Sequence, residues 1–373
     1  MVNTLPYGAG LDSRLKESFS PRDGVRGIEK PKALYDLIPE NNEQLKNLAG
    51  RHIVSIRQFD RETIVQLCKL AASYESQGDL IYKPLAGKIM ISAFYEPSTR
   101  TRLSFESAFH RLGGDIMSIT DRSTTGIAKG ESLSDIGEMF TNYGDVVVLR
   151  DSERESVFQM IENLKIPIIN AGNGIDEHPT QALADLYAIL KWKPELAVFN
   201  KQRAESEKLT IGVIGVPGRM RTVRSLLLTL GLFSDCIQKL IIINPDHDIF
   251  DEQQKEELLA AGLKIEQSTS LRKVAGELDV VYINSIAWIG DTYEKLAGDI
   301  TLNKQTALKK DSIILHPLAR GEELDVSLDK TPHNWYFAQA RGAVFLRMAL
   351  LTCLTQRINL VADSPVDRPE ENA

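Results

Sequence analysis

Two kinds of segment alternate along most of this chain. Short runs of consecutive apolar, often β-branched residues, Ile89 to Phe94, Val146 to Leu149 and Pro167 to Ile169, are separated by the stretches 100–112, 131–142 and 178–191, where apolar residues recur every three or four positions. An uninterrupted run predicts a strand buried on both faces, and the wider spacing predicts a helix with one buried face. After Lys193-Pro194 the alternation starts again. Leu209 to Gly215, Leu240 to Ile243, Asp279 to Ile283 and Ser312 to Leu315 read as strands, with helices near 220–232, 251–262 and 270–276. Such alternation calls for parallel strands joined by crossover helices. The expectation is an α/β chain of two domains, 49–190 and 191–341, each a parallel sheet flanked by helices.

The ends look different. Residues 1–48 are mixed polar, with Pro21, Pro31 and Pro39 and the cluster Glu40-Asn41-Asn42-Glu43, and read as an N-terminal extension. The acidic, proline-bearing segment 359–373 reads as a disordered tail.

Size and charge narrow the possibilities. At 373 residues the chain exceeds one ordinary core and suits two. Forty-four Lys and Arg against 51 Asp and Glu give a net charge of −7. No general field therefore attracts nucleic acid or an anionic membrane, and any anion site must be local. Cys68, Cys236 and Cys353 lie far apart without metal-ligand spacing, which argues against a zinc site or a disulfide framework and for buried thiols in a reducing compartment. No apolar run approaches membrane-spanning length, and Met1 to Gly24 lacks the apolar core of a signal peptide, so a cytoplasmic protein is expected.

In sheets of this kind function gathers where strands end. Ile89 to Phe94 is followed by Ser98-Thr99-Arg100-Thr101-Arg102, ahead of the helical pattern Phe105, Ala108, Phe109, Leu112. Hydroxyls and guanidinium forks at a helix N-terminus, where free N–H groups and the dipole already favour negative charge, make an anion socket. The same residues also suit a helix cap with solvated arginines. Arg150 directly follows Val146 to Leu149, as a further anion ligand or as an ordinary strand-end charge. His178-Pro179-Thr180-Gln181 opens a helix with Pro in its first turn; a histidine there is a cap, a packed residue or a reactive one.

Gly212-Val213-Ile214-Gly215-Val216-Pro217-Gly218 has glycines at i, i+3 and i+6, whereas the nicotinamide fingerprint needs i, i+2 and i+5. Arg219, Arg221 and Arg224, which follow it at the start of a helix, suit a second anion.

Five ordered motifs, Phe94-Tyr95-Glu96-Pro97-Ser98-Thr99-Arg100-Thr101-Arg102, Lys129-Gly130-Glu131-Ser132-Leu133, His178-Pro179-Thr180-Gln181, Arg221-Thr222-Val223-Arg224-Ser225-Leu226 and His316-Pro317-Leu318, resemble those of the aspartate carbamoyltransferases. The resemblance runs from about Leu85 to Leu354. It implies a carbamoyl phosphate-binding domain, then an amino acid-binding domain, and a C-terminal helix, 342–358, returning to the first. It also implies transfer of the carbamoyl group to L-aspartate, a step of pyrimidine biosynthesis, without metal or redox cofactor. Residue by residue, Ser98, Thr99, Arg100, Thr101 and Arg150 would hold the phosphate. Arg100, Thr101, Arg150 and His178 would reach the carbonyl, with His178 a donor and not a base. Gln181 and the backbone at Pro317 and Leu318 would grip the carbamoyl NH2. Lys129 would enter a neighbouring subunit's site, implying a homotrimer with shared sites, and Arg221 would bind the acceptor's α-carboxylate.

Two departures stand out. Where the family has an arginine and, two residues later, a glutamine for the second carboxylate of aspartate, this chain has Ser285 and Ala287 in Asn284-Ser285-Ile286-Ala287-Trp288. Losing one charged hydrogen bond, about 1.5–3 kcal/mol, weakens aspartate binding by roughly one to two powers of ten unless another cation substitutes. Arg219, unusual at its position, is such a cation. Alternatively, Ile286 and Trp288 suit an acceptor without a second carboxylate. A catalytically silent anion-binding homologue is a third reading, against which the intact Arg100, Thr101, Arg150 and His178 speak. The second departure is Leu318-Ala319-Arg320 in place of Leu-Pro-Arg with a cis peptide, which leaves a cis or a trans bond open.

Overall fold

The structure, a computed structural model, describes residues 30–77, 83–199, 202–246, 248–284 and 300–362. Every expected strand is present. The first sheet holds β1 (Ile89–Phe94), β2 (Asp115–Ile119), β3 (Val146–Asp151) and β4 (Ile168–Asn173), all parallel, in the order β2-β1-β3-β4. The second holds β5 (Leu209–Ile214), β6 (Ile237–Ile243), β7 (Ile265–Ser268), β8 (Val280–Ile283) and β9 (Ile313–Leu315), also parallel, in the order β7-β6-β5-β8-β9. In each sheet the chain leaves one strand first to one side and then to the other, at β1 between β2 and β3, and at β5 between β6 and β8. Such reversals open a crevice at the carboxyl ends of the strands. The two crevices face one another.

Helices cover both sheets. Ahead of the first sheet lie α1 (Lys30–Leu37), α2 (Asn42–Lys46) and α3 (Arg61–Gln77); around it lie α4 (Thr99–Arg111), α5 (Leu133–Tyr143), α6 (Ser156–Ile161) and α7 (Pro179–Trp192). The second sheet carries α8 (Arg221–Gly231), α9 (Gln254–Ala260) and α10 (Leu271–Val274). Nearly all of α7 is buried, because it is wedged between α1, α8 of the other domain and the C-terminal helix Tyr336–Leu354. That position explains why its polar residues Gln181, Asp185 and Lys191 are interior.

Four expectations are corrected. Residues 30–48 are not an extension: Leu34 and Ile38, one helical turn apart, and Leu45 and Leu48 are buried in the first domain's core, with α1 and α2 packed on α3. The C-terminal helix begins at Tyr336 and ends at Leu354, where 342–358 was expected. Gly342 lies inside it at a close approach, where an added Cβ would meet Lys191 and Tyr187 at 3.0 Å. By length and composition this 19-residue helix is apolar enough to cross a membrane, contrary to the sequence reading. Gln339, Arg341 and Arg347 break up its apolar run in the sequence, and it packs between α3, α4 and α7 with 78% of its most apolar stretch buried. Finally, 358–362 forms a short helix that continues into the segment read as tail. Residues 363–373 lie outside the described residues, as do 1–29.

Candidate active site

The facing crevices form one cleft of about 700 Å³ between the domains. Ser98, Thr99, Arg100, Thr101, Arg150, His178, Gln181, Arg219, Arg221 and Leu318 all line it. From the first domain, Ser98 caps α4 with its hydroxyl unused by the helix, so the first-turn N–H groups stay open to the cleft. Arg100 projects from that turn, and no carboxylate pairs with it among the described residues; burial lowers its pKa. Arg102 turns away and pairs with Glu106 at 3.3 Å.

Arg150 ends β3. Its Nη2 donates to Glu96 Oε1 at 2.9 Å. Burial first, then the charge of Arg221, pushes Arg150 down to about 10, which leaves it a full cation at neutral pH. Arg221, at the first turn of α8, donates from Nη2 to the same Glu96 carboxylate at 3.1 and 3.2 Å and from Nη1 to the Gly174 carbonyl. Glu96 is thus shared by one guanidinium from each domain. The floor beneath them needs glycine: Gly172 has φ +113°, and a Cβ there would stand 3.2 Å from Arg221 Nε and 3.3 Å from Arg150 Nη1.

His178 caps α7, tied down by its backbone N–H, which donates to Ser225 Oγ at 3.0 Å. Neither ring nitrogen has a partner among the described residues. Burial, followed by the charges of Arg150, Arg221 and Arg347, holds it well below the ordinary histidine range. The imidazole is therefore neutral at physiological pH and brings one N–H donor. One turn on, Gln181 Nε2 donates to the buried Asp185 carboxylate at 2.6 Å.

Across the cleft, His316-Pro317-Leu318 follows β9. His316 Nδ1 accepts from the Leu318 N–H at 2.7 Å, and Nε2 donates to Glu323 at 2.9 Å, which fixes the loop from both ring nitrogens. The Leu318–Ala319 bond, left open by the sequence, is cis. Arg219 lines the cleft exposed, its guanidinium without an ion pair among the described residues.

Two sequence candidates are not brought into this cleft. Lys129 lies on an exposed turn, Gly126–Lys129, away from it. Ser285 lies outside the described residues, with Ala287 and Trp288. Other cleft groups carry no local signal of their role in the sequence. Glu96 lies within the motif Phe94 to Arg102 and lines the cleft. Gln339 and Arg347 come from the C-terminal helix, where polar residues in an otherwise apolar stretch were the available signal. Arg347 is fully buried, donates to Ser104 Oγ and lies 4.7 Å over the Phe105 ring; burial pushes it down to about 10.

The arrangement can hold a dianion at α4, polarise a neighbouring carbonyl with cations and a neutral imidazole, and bind a carboxylate at Arg221. Comparison with known proteins agrees. The aspartate/ornithine carbamoyltransferase carbamoyl-P binding domain matches residues 51–191, and the Asp/Orn binding domain matches 207–354. The aspartate carbamoyltransferase catalytic subunit of Methanopyrus kandleri is 36% identical over 318 residues, 82% of this chain and 98% of that one. The chloroplastic aspartate carbamoyltransferase 1 of Pisum sativum is 35% identical, over 81% of this chain and 78% of its own. The crystal structure of aspartate transcarbamoylase from Trypanosoma cruzi with aspartate and phosphate superposes with a TM-score of 0.75 at 31% identity, covering 83% of this chain and 97% of that one. With both domains matched in order and the cleft formed where they meet, this chain belongs to the aspartate/ornithine carbamoyltransferase family.

Proposed function

We propose that the protein transfers the carbamoyl group of carbamoyl phosphate to the amine of L-aspartate, giving N-carbamoyl-L-aspartate and phosphate. The observation that carries this reading is the convergence of Arg100, Arg150, neutral His178 and Arg221 on one interdomain cleft. The phosphate sits on the first turn of α4 with Ser98, Thr99, Thr101, Arg100 and Arg150. As the uncharged amine attacks, negative charge grows on the carbonyl oxygen and then on the departing phosphate, and these fixed donors strengthen with it. His178, neutral, donates to the carbonyl oxygen. Gln181 Oε1 and the Leu318 carbonyl accept from the carbamoyl NH2. Arg221 exchanges Glu96 for the α-carboxylate of the acceptor.

Arg219 takes the second carboxylate, since among the described residues it is an unpaired cation on the wall that carries Arg221. Phosphate release with a panel of amines tests this. Aspartate is turned over, and Arg219→Ala raises its KM by roughly 10–100-fold, the loss of one charged hydrogen bond. Faster wild-type turnover of an amine with one carboxylate, unaffected by Arg219→Ala, would favour the acceptor that Ser285 and Ala287 suggest. No phosphate release with any amine would mark a silent homologue.

The assembly is a cytoplasmic homotrimer in which Lys129 completes the neighbour's site. Its exposed turn, remote from its own cleft, supports this reading. Arg100→Ala and Lys129→Ala chains, each inactive alone, regain activity when reassembled together, with about one quarter of the sites intact in an equal mixture. No recovery on mixing counts against shared sites.

A further inference from the structure

Asp185 is a carboxylate in the middle of α7 with no exposed surface and no ion pair among the described residues. Burying a charge is costly, and burial pushes this group up to about 7 against the smaller opposing effects of its hydrogen bonds and of the Arg347 charge. Its neighbours show what holds it in place. Oδ1 accepts from Gln181 Nε2 at 2.6 Å and from Gln339 Nε2 at 2.6 Å. Gln181 lies one turn earlier on α7, whereas Gln339 comes from the first turn of the C-terminal helix, and both amides line the cleft.

Oδ2 has no partner among the described residues and can carry a proton, so Oδ1 is an acceptor in either state; it engages the NH2 end of each amide and leaves each amide oxygen free. For Gln339 that oxygen accepts the His316 N–H at 2.8 Å and so fixes the loop carrying Leu318. For Gln181 the free oxygen is left for the cleft. Without such a partner a glutamine amide can turn either end toward a ligand.

We propose that Asp185 is a positioning residue that sets the polarity of the carbamoyl site. It locks Gln181 with its oxygen toward the cleft and, through Gln339, holds the His316–Leu318 backbone opposite, so that both walls present acceptors to an NH2 group. This rests on the carbamoyl transfer proposed above. The ligand class it selects is an acyl phosphate bearing N–H donors. An acyl phosphate with a methyl group in that place, such as acetyl phosphate, leaves both acceptors unpaired and is disfavoured.

Asp185→Leu tests it, because a side chain of similar size without an acceptor frees the Gln181 NH2, so that either end of the amide can face the cleft. The readout is the ratio of the KM for carbamoyl phosphate to the inhibition constant of inorganic phosphate, which contacts only the α4 end. That ratio rises by roughly 10–100-fold, the loss of one or two hydrogen bonds to the carbamoyl NH2. Inhibition by acetyl phosphate stays within about twofold of wild type. In a Gln181→Ala background Asp185→Leu raises the ratio by less than it does alone, since one of its two routes is already removed. Asp185→Ala, which also lacks an acceptor in a smaller side chain, raises the ratio in the same direction and serves if the Leu variant does not fold. Equal losses for carbamoyl phosphate, acetyl phosphate and inorganic phosphate would mean a general collapse of the site and overturn the inference. So would additive effects of the Gln181 and Asp185 changes. Wild-type protein that releases no phosphate from carbamoyl phosphate would sink the proposed function itself, whereas active wild type with an unmoved ratio in Asp185→Leu would sink this inference alone.

Discussion

Arg100→Ala should abolish turnover with every acceptor, lowering kcat by about 10³-fold or more. One preorganised donor to a developing oxyanion accounts for about 10²–10³ in rate. Arg100 is further placed to serve both the carbonyl and the phosphate, from the helix turn where the phosphate sits. No carboxylate pairs with it among the described residues, so no local ion pair is lost and the fold should be untouched. Arg100→Lys should recover only part of the rate, because an ammonium keeps the charge but not the planar fork. Arg102→Ala, two residues on, is the control: that side chain is engaged by Glu106 and does not line the cleft, so its kcat should match wild type. Initial rates of phosphate release read all three. Arg100→Ala activity within tenfold of wild type would dismiss the assigned anion socket.

The second large effect is on stability. Lys191 Nζ and Glu75 Oε2 pair at 2.9 Å, each side chain 1% exposed, with the Tyr187 hydroxyl donating to Glu75 Oε2 at 2.7 Å and Arg341 Nε 3.5 Å from Oε1. Taking away one partner of a buried pair strands the other charge, which costs about 3–5 kcal/mol. Lys191→Ala should lose that much in denaturant unfolding, while Lys191→Met with Glu75→Leu should recover most of it, since well-packed apolar replacements of such pairs are often neutral. A loss below about 1 kcal/mol in the single variant would show that Arg341 and Tyr187 already satisfy Glu75.

The sequence was most readable where one local pattern settled one element. The runs at β1, β3, β5 and β8 are buried along nearly their whole length, and the polar residues directly after them form the cleft. The edge strands β2 and β7 escaped notice because each is covered on one side only, and Asp115, Ser118, Glu266 and Gln267 break the apolar run. Residues 30–48 looked like an extension because Pro31, Pro39 and the charged cluster outweigh four buried aliphatic residues spread over fifteen positions. Within the site, helix N-termini were legible and tertiary partners were not. Gln339 meets Asp185 across 154 residues, and Glu96 meets Arg221 across 125. No spacing rule connects such pairs.

The placement of the last long helix has a consequence for synthesis. Residues 336–354 seat against α3, made some 260 positions earlier, and supply Gln339 and Arg347 to the cleft. At about 5–20 residues per second, the ribosome needs roughly 15–50 s to travel between them. Through that interval the nascent first domain shows bare apolar surface on α3, α4 and α7, a target for chaperones and a nucleus for clumping. A message cut short before codon 336 would yield two nearly complete sheets and no working centre.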